Sequence, residues 1–244
     1  MIRSIIAAIA CYVVTGCATV NPMAFDKKST AIDTKEKSIV LMSIDVSRAD
    51  GSRFVPEPFV VKMGKPDPLG KEEPHNFKFN KDADSLQENS RSIYLVRLAL
   101  IGGEYKLYEV AGSASAFPIN SLFVVPLNID LKVKPGSVTY VGRMTAKLRD
   151  RVGNEFRAGP VLPLIDQSIT GMSGGTWDVS IDNMAEQDIA LFRATYPVLN
   201  NVTIETSPLP KFDRAAAQRL WDGETQTPQK AAEPTKPAAQ VAAK

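Results

Sequence analysis

Three features of the sequence predict a mainly β chain folded as a single β-sandwich with one or two short peripheral helices. Apolar and polar residues alternate with period two through much of residues 38–221, as in strands that turn one face to a core. Proline and glycine interrupt that alternation at short intervals, as turns between strands do. Helical signals occur only late in the chain, after Asp182. Composition agrees: 44% hydrophobic and 23% charged residues is an ordinary globular mix. The patterned part fits one domain of the larger all-β kind.

The domain begins at Ile39. Val40, Met42, Ile44 and Val46 alternate with Leu41, Ser43, Asp45 and Ser47, which predicts a half-buried strand. Asp50-Gly51 is a turn signal. Phe54 to Met63 is extended, but Pro56 and Pro58 assign it to an edge or an irregular strand. Gly64 to Pro74 reads as a loop, Phe77 and Phe79 as a short strand, and Lys81 to Ser90 as a polar loop. Ile93 to Leu100 is a strand with Tyr94, Val96, Leu98 and Leu100 on one face. Gly102-Gly103 followed by Tyr105 to Val110 is a hairpin pattern. Gly112 to Pro118 is a small-residue connection.

Two cleaner strands follow. Leu127, Ile129, Leu131 and Val133 form one apolar row; Val138, Tyr140, Gly142, Met144, Ala146 and Leu148 form the next. Lys134-Pro135-Gly136-Ser137 between them has the type II signature, with proline presetting φ and glycine accepting positive φ. Register is specified, because a slip by one residue would turn the charged row into the core. Residues 157–167 are apolar but broken by Pro160 and Pro163. Thr176 to Asp182 is a strand with Trp177, Val179 and Ile181 on one face. Asn183 opens a helix with Glu186 three residues on, a capping-box arrangement. Ala185, Ile189, Phe192 and Tyr196 make its apolar stripe and Pro197 stops it; it is expected against the sheet or across an open end. Val202 and Ile204 suggest a last strand, and Asp213 to Trp221 a second helix. Residues 222–244 have almost nothing to bury and read as a disordered tail.

The start of the chain sets the compartment. Arg3, the apolar run Ile5 to Val14 and the small residues after it read as a signal peptide over residues 1–16, too short to span a bilayer. Val14-Thr15-Gly16-Cys17 resembles the lipobox of bacterial lipoproteins. The resemblance implies cleavage before Cys17 and lipidation of its thiol. A single acyl chain holds a protein only marginally, at about 0.8 kcal/mol per buried methylene. The resemblance implies two or three chains, hence firm anchoring. Ala18 stands where an Asp would favour inner-membrane retention, so the analogy points to the outer membrane, facing periplasm or cell surface. Residues 17–37 are polar and read as a flexible tether, spanning roughly 25 Å as a random coil. Of the two cysteines, Cys11 would be discarded and Cys17 lipidated, so the core must hold the fold without a disulfide. Pro135, Gly136, Tyr140 and Gly142 resemble the Pro-Gly-x-x-x-Tyr-x-Gly pattern in small β-sandwich domains of envelope lipoproteins of unassigned function. That resemblance implies an immunoglobulin- or prealbumin-like sandwich and no particular activity.

Chemical candidates are few. Gly171-Met172-Ser173-Gly174-Gly175 fits Gly-x-Ser-x-Gly, but a strand pattern rather than a helix follows the serine. It also resembles the Gly-Asp-Ser-Gly-Gly of trypsin-like proteases, with Met172 in place of the Asp. The single histidine, His75, lies upstream in Glu73-Pro74-His75-Asn76, outside that family's histidine context. A serine without a positioned base is a weak nucleophile, so Ser173 reads as part of a glycine-rich turn. His75 alone cannot build a zinc site. Asn80-x-Asp82-x-Asp84 mimics half a calcium loop, yet Ser85 and Arg91 occupy the positions that need Gly and Glu. Glu72, Glu73 and Asp166 read as solvated loop carboxylates. Trp177 and Tyr140 belong to apolar rows, whereas Tyr94 and Tyr108 are candidates for an exposed glycan-stacking face. A net charge of +2 with no basic block among aromatics argues against nucleic acid. Lys230, Lys236 and Lys244 are offset by Glu224 and Glu233, which suits a solvated tail. The expectation is a lipid-anchored envelope protein with no cofactor, a non-catalytic binding or assembly module whose partners are the membrane and other envelope proteins. The rival readings are a serine hydrolase using Ser173 and His75, and a glycan-binding module.

Overall fold

A computed structural model describes residues 20–48, 52–66, 72–88, 91–161 and 168–223. In chain order its strands are β1 (Val20–Asn21), β2 (Ser38–Arg48), β3 (Pro56–Pro66), β4 (Glu72–Lys78), β5 (Ser85–Glu88), β6 (Arg91–Leu100), β7 (Gly103–Ala116), β8 (Ile119–Val133), β9 (Val138–Asp150), β10 (Gly175–Asp182) and β11 (Glu205–Thr206). Helix α1 (Lys81–Asp84) is a single turn; α2 (Ala185–Thr195) and α3 (Arg214–Trp221) are longer. The strands form a mainly β sandwich of two mixed sheets with few helices. One sheet runs β1-β4-β3-β7-β8; the other runs β10-β9-β2-β6-β5, with β11 continuing the β10 side of β9. Between them lies a core that includes Val61, Phe77, Val96, Phe123, Met144 and Trp177.

The glycine corners join sheets rather than neighbouring strands. Gly102-Gly103 was expected to close a hairpin, but β6 pairs with β2 and β5 while β7 pairs with β3 and β8. The turn at Pro135-Gly136 likewise carries the chain from β8 in one sheet to β9 in the other. The two corners touch, since a Cβ on Gly102 would stand 2.4 Å from Pro135 Cγ. Gly136 has φ 71°, as the type II turn requires. The true hairpin forms where a mere connection was expected: β7 runs through Gly112 to Ala116, and β8 returns beside it.

Of the two expectations for β3, the irregular strand holds, with register shifts between Pro58 and Val60 and between Lys62 and Met63, and the edge position does not. The strand lies between β4 and β7, but β4 pairs only with Val60 to Pro66. Pro56 and Pro58 fall where that neighbour has ended, so their missing N–H groups break no ladder on that side. The expected loop 64–74 is strand at both ends, and Pro74 sits opposite Gly64. The expected loop 81–90 is instead α1 followed by β5, which pairs with β6.

Strand β2 is buried on both faces rather than one, because the outer face of its sheet is covered. There α2 lays Ile189 and Phe192, with Tyr196 and Leu199, over Ile39, Leu41, Ile93, Leu95, Val138 and Tyr140. Met184, not Asn183, is the N-cap of α2; the Asn183 Oδ1 accepts from the Ala185 N–H at 3.2 Å, so the expected box does not form. For α3 the expected start holds: Asp213 accepts from the Ala216 N–H at 3.0 Å.

Strand β9 departs from strict alternation. Opposite β2, Leu41 pairs with Tyr140 but Ser43 with Arg143, so one extra residue is accommodated around Gly142, whose φ is 119°. The bulge exchanges faces. Val138 and Tyr140 join the cluster under α2, whereas Met144 and Ala146 join the core between the sheets.

Candidate functional site

The residues singled out by sequence disperse. Cys17, Asp166 and the tail lysines lie outside the described residues. So do Glu224 and all that follows it, and Glu72 and Glu73 are described only as backbone of β4. His75 sits on β4 opposite Met63, its ring 5.6 Å from that of Tyr105. Ser173 sits in the turn before β10, where its carbonyl accepts from Arg157. Strand β10 lies over β8, as Phe123 and Trp177 show with ring centroids 5.3 Å apart. From β4 to β8 are three strand spacings, roughly 14 Å. The two members of the hydrolase reading thus occupy opposite sides of the sandwich.

Asn80 and Asp84 are committed to the fold. The Asn80 side chain accepts from the Asp82 N–H at 2.8 Å, and Asp84 Oδ2 accepts from the Asn80 N–H at 2.7 Å. The other Asp84 oxygen, Oδ1, holds the buried Arg97 at 2.6 Å. Among the described residues no three His, Cys, Asp or Glu converge as ligands for a metal ion.

Of the aromatics, Trp177 is buried and its Nε1–H donates to the Val124 carbonyl at 2.9 Å. Tyr140 is also buried and donates to Asp188 at 2.5 Å; burial and that carboxylate push its phenol up. Tyr94, expected as a candidate for exposure, is fully buried between the sheets, and its phenol is pushed up chiefly by burial. Tyr108 is half-buried on β7. A glycan face made of Tyr94 and Tyr108 therefore does not exist.

The segment expected to be a free tether is bound to the domain from Val20 onward. Val20 and Asn21 pair in parallel with Asn76 and Phe77. The Ala24 N–H donates to the Arg97 carbonyl at 2.9 Å, and Arg97 Nε donates to the Phe25 carbonyl at 2.9 Å. Phe25 is buried against Tyr196, with ring centroids 5.5 Å apart. One buried apolar anchor, Phe25, and a set of main-chain bonds hold a segment whose composition is otherwise polar.

The surface that stands out is the outer face of the five-stranded sheet. Its centre is a groove of about 450 Å³ lined by Phe59, Val60, Leu122, Val124 and Pro126, with Leu220 and Trp221 of α3 forming one wall. It continues past Phe59 into a second depression of about 780 Å³ that reaches Lys78, Lys81 and Val20. Five large apolar side chains along it are substantially exposed: Val20 56%, Leu122 46%, Trp221 41%, Leu220 40% and Phe59 37%. Two ion pairs lie on this face, Lys62 with Glu109 at 2.6 Å and Lys81 with Glu57, and Lys78 and Asp82 also line it. Helix α3 is fixed as a wall by polar contacts at its base. Arg214 donates to the Trp177 carbonyl at 2.7 Å and to Glu155 at 2.8 Å, and Gln218 accepts from the Phe156 N–H at 2.7 Å. Arg149 beside Glu155 holds that carboxyl down at about 2.

Sequence reasoning missed Phe59, Leu122 and Trp221 as surface residues. Phe59 falls at a register shift between Pro58 and Val60, so its side follows from no simple count. Trp221 is the last residue of α3, a helix that the sequence predicts without saying which of its faces is covered.

Searches of protein-family models, of curated proteins and of solved structures each found no match to this chain.

Proposed function

We propose that this protein is a lipid-anchored envelope protein, of the outer membrane, that works as a non-catalytic binding module and presents the outer face of its five-stranded sheet. The lipobox-like Val14-Thr15-Gly16-Cys17 supports the place. The observation that carries the binding role is the contrast in cover: one outer sheet face lies under α2, while the other exposes a continuous apolar groove. Contiguous exposed apolar surface of this sort marks interaction sites on soluble domains. Separation of Ser173 from His75 supports a role without a serine nucleophile.

The test has two parts. Mass spectrometry of the mature protein should find lipid on Cys17, and Cys17→Ser should remove it. Photo-crosslinkers placed at Leu122 in intact cells should capture an envelope component, whereas one at Val152, exposed in the turn after β9, should not. Equal capture at both positions sinks the binding assignment. Mature protein without lipid sinks the placement.

A further inference from the structure

We infer that the occupant of this groove is the membrane surface itself: the protein lies with the outer face of its five-stranded sheet against lipid. The inference rests on the proposed lipidation of Cys17 and names the partner of the same face.

The first ground is the length of the leash. Cys17 precedes Val20 by three residues, and a chain of that length spans at most about 10 Å. Val20 is not free to lift away. It is paired with Asn76, and the chain behind it is held by Ala24, Phe25 and Arg97. A flexible tether of twenty residues would have left the domain's orientation open; a leash of three does not. The second ground is where the leash arrives. Val20 lines the groove together with Phe59 and Lys78. The face nearest the anchor is thus the face with exposed apolar side chains.

The third ground is chemical. Phe59 and Trp221 combine with Lys62, Lys78 and Lys81 along the groove. Aromatic rings settle at the headgroup level, and lysine stems lie along apolar surface while the ammonium reaches water. The carboxylates Glu109 and Glu57 are paired with Lys62 and Lys81, and the exposed Asp82 on the same lining is matched in number by Lys78, so the face carries no excess of negative charge toward an anionic bilayer. Tethering turns a weak surface contact into an intramolecular one at high effective concentration. A patch too weak to recruit the protein from solution suffices to orient it.

The test uses the full lipidated protein in vesicles of phosphatidylethanolamine and phosphatidylglycerol, with and without bromine on the acyl chains. Bromine quenches only nearby fluorophores. Trp177 is buried in the core and serves as the internal reference, so the inference expects partial loss of tryptophan emission that disappears in Trp221→Phe. A nitrobenzoxadiazole label on Phe59→Cys should be quenched as well, and the same label on Val152→Cys should not. Lipidation confirmed by mass, with no quenching at either Trp221 or Phe59→Cys, overturns the inference and leaves the anchoring reading standing. Equal quenching at Val152→Cys overturns it too. So does a label at Phe59→Cys that is shielded in cells by a crosslinked protein and unquenched in vesicles. Absence of lipid on Cys17 is a different failure and falls on the anchoring reading first.

Discussion

The two outer faces of the sandwich are built from the same alternation yet end in opposite states. On the six-stranded sheet Ile39, Leu41, Ile93 and Leu95 point outward and are buried by α2 and the residues after it. On the five-stranded sheet the outward positions mix Lys62, Lys78 and Glu109 with Val60 and Leu122, and α3 borders them as a wall at one side and leaves the groove open. The difference was encoded as a local excess of apolar residues. A strand apolar at both parities is covered twice, and a strand apolar at one parity is covered once.

Cover also decides what charge does. On the covered side lie two arginine–carboxylate pairs, Arg97 with Asp84 of α1 and Arg143 with Asp188 of α2, all at least nine-tenths buried. Each has a tyrosine on it: the Arg97 guanidinium meets the Tyr196 hydroxyl, and Tyr140 donates to Asp188. Buried pairs of this kind fix geometry more than they add stability. The pairs on the bare face are wet and contribute little.

The largest expected effect breaks the covered face. Asp188→Ala leaves Arg143 as an uncompensated buried charge and should cost about 3–5 kcal/mol in urea unfolding, with the Tyr140 hydroxyl orphaned too. A loss under about 1 kcal/mol would mean that water reaches the pair.

A matched substitution sharpens the contrast. Phe192→Ala under α2 should cost about 3–5 kcal/mol. Phe59→Ala on the bare face should cost about 1–2 kcal/mol, because much of that ring is already in water. Equal losses would mean that the groove ring is structural and not held out for a partner.

A smaller effect is expected at the bulge that sorts β9 between the two faces. Gly142→Ala adds a Cβ at φ 119°, 3.2 Å from the Asp182 carbonyl, and should destabilise by about 1–3 kcal/mol in the same measurement. An unchanged midpoint would show that the strand can shed its extra residue.

The smallest concerns the wall of the groove. Glu155 has its pKa lowered to about 2, so its stabilising share is present above the ordinary carboxylate range and is lost as pH falls from there toward 2. Acidification should free α3 from Arg214 and shift Trp221 emission before the core unfolds, and Glu155→Gln should show the shifted emission already at neutral pH. Coincident loss of Trp221 and core signals would refute that order.

Much of the fold was legible in the residues, and the misses have physical reasons. Trp177, Val179 and Ile181 faced the core as their alternation required. Turn chemistry at Pro135-Gly136 was equally readable, but a reversal of direction does not say whether the next strand pairs beside the last or crosses to the other sheet. The bulge at Gly142 hid because a glycine fits either parity. The order of residues 20–37 was invisible since Phe25 and main-chain bonds carry it, and neither is a matter of composition. Of the site, the lysines were visible as charges. The groove was not, because Leu122 and Trp221 meet only after chain segments a hundred residues apart come together.

One feature of the topology bears on how the molecule comes into being. The Oγ of Ser38 at the start of β2 accepts from the N–H of Ser137, the residue before β9 and 99 residues away, and the two strands then run in parallel. Contacts so distant in sequence make folding slow. The chain is synthesised amino end first, so its earliest long strand waits unpaired on that side until about a hundred further residues have followed it. Final assembly is therefore a late event, and the nascent form is the one in need of shelter from aggregation.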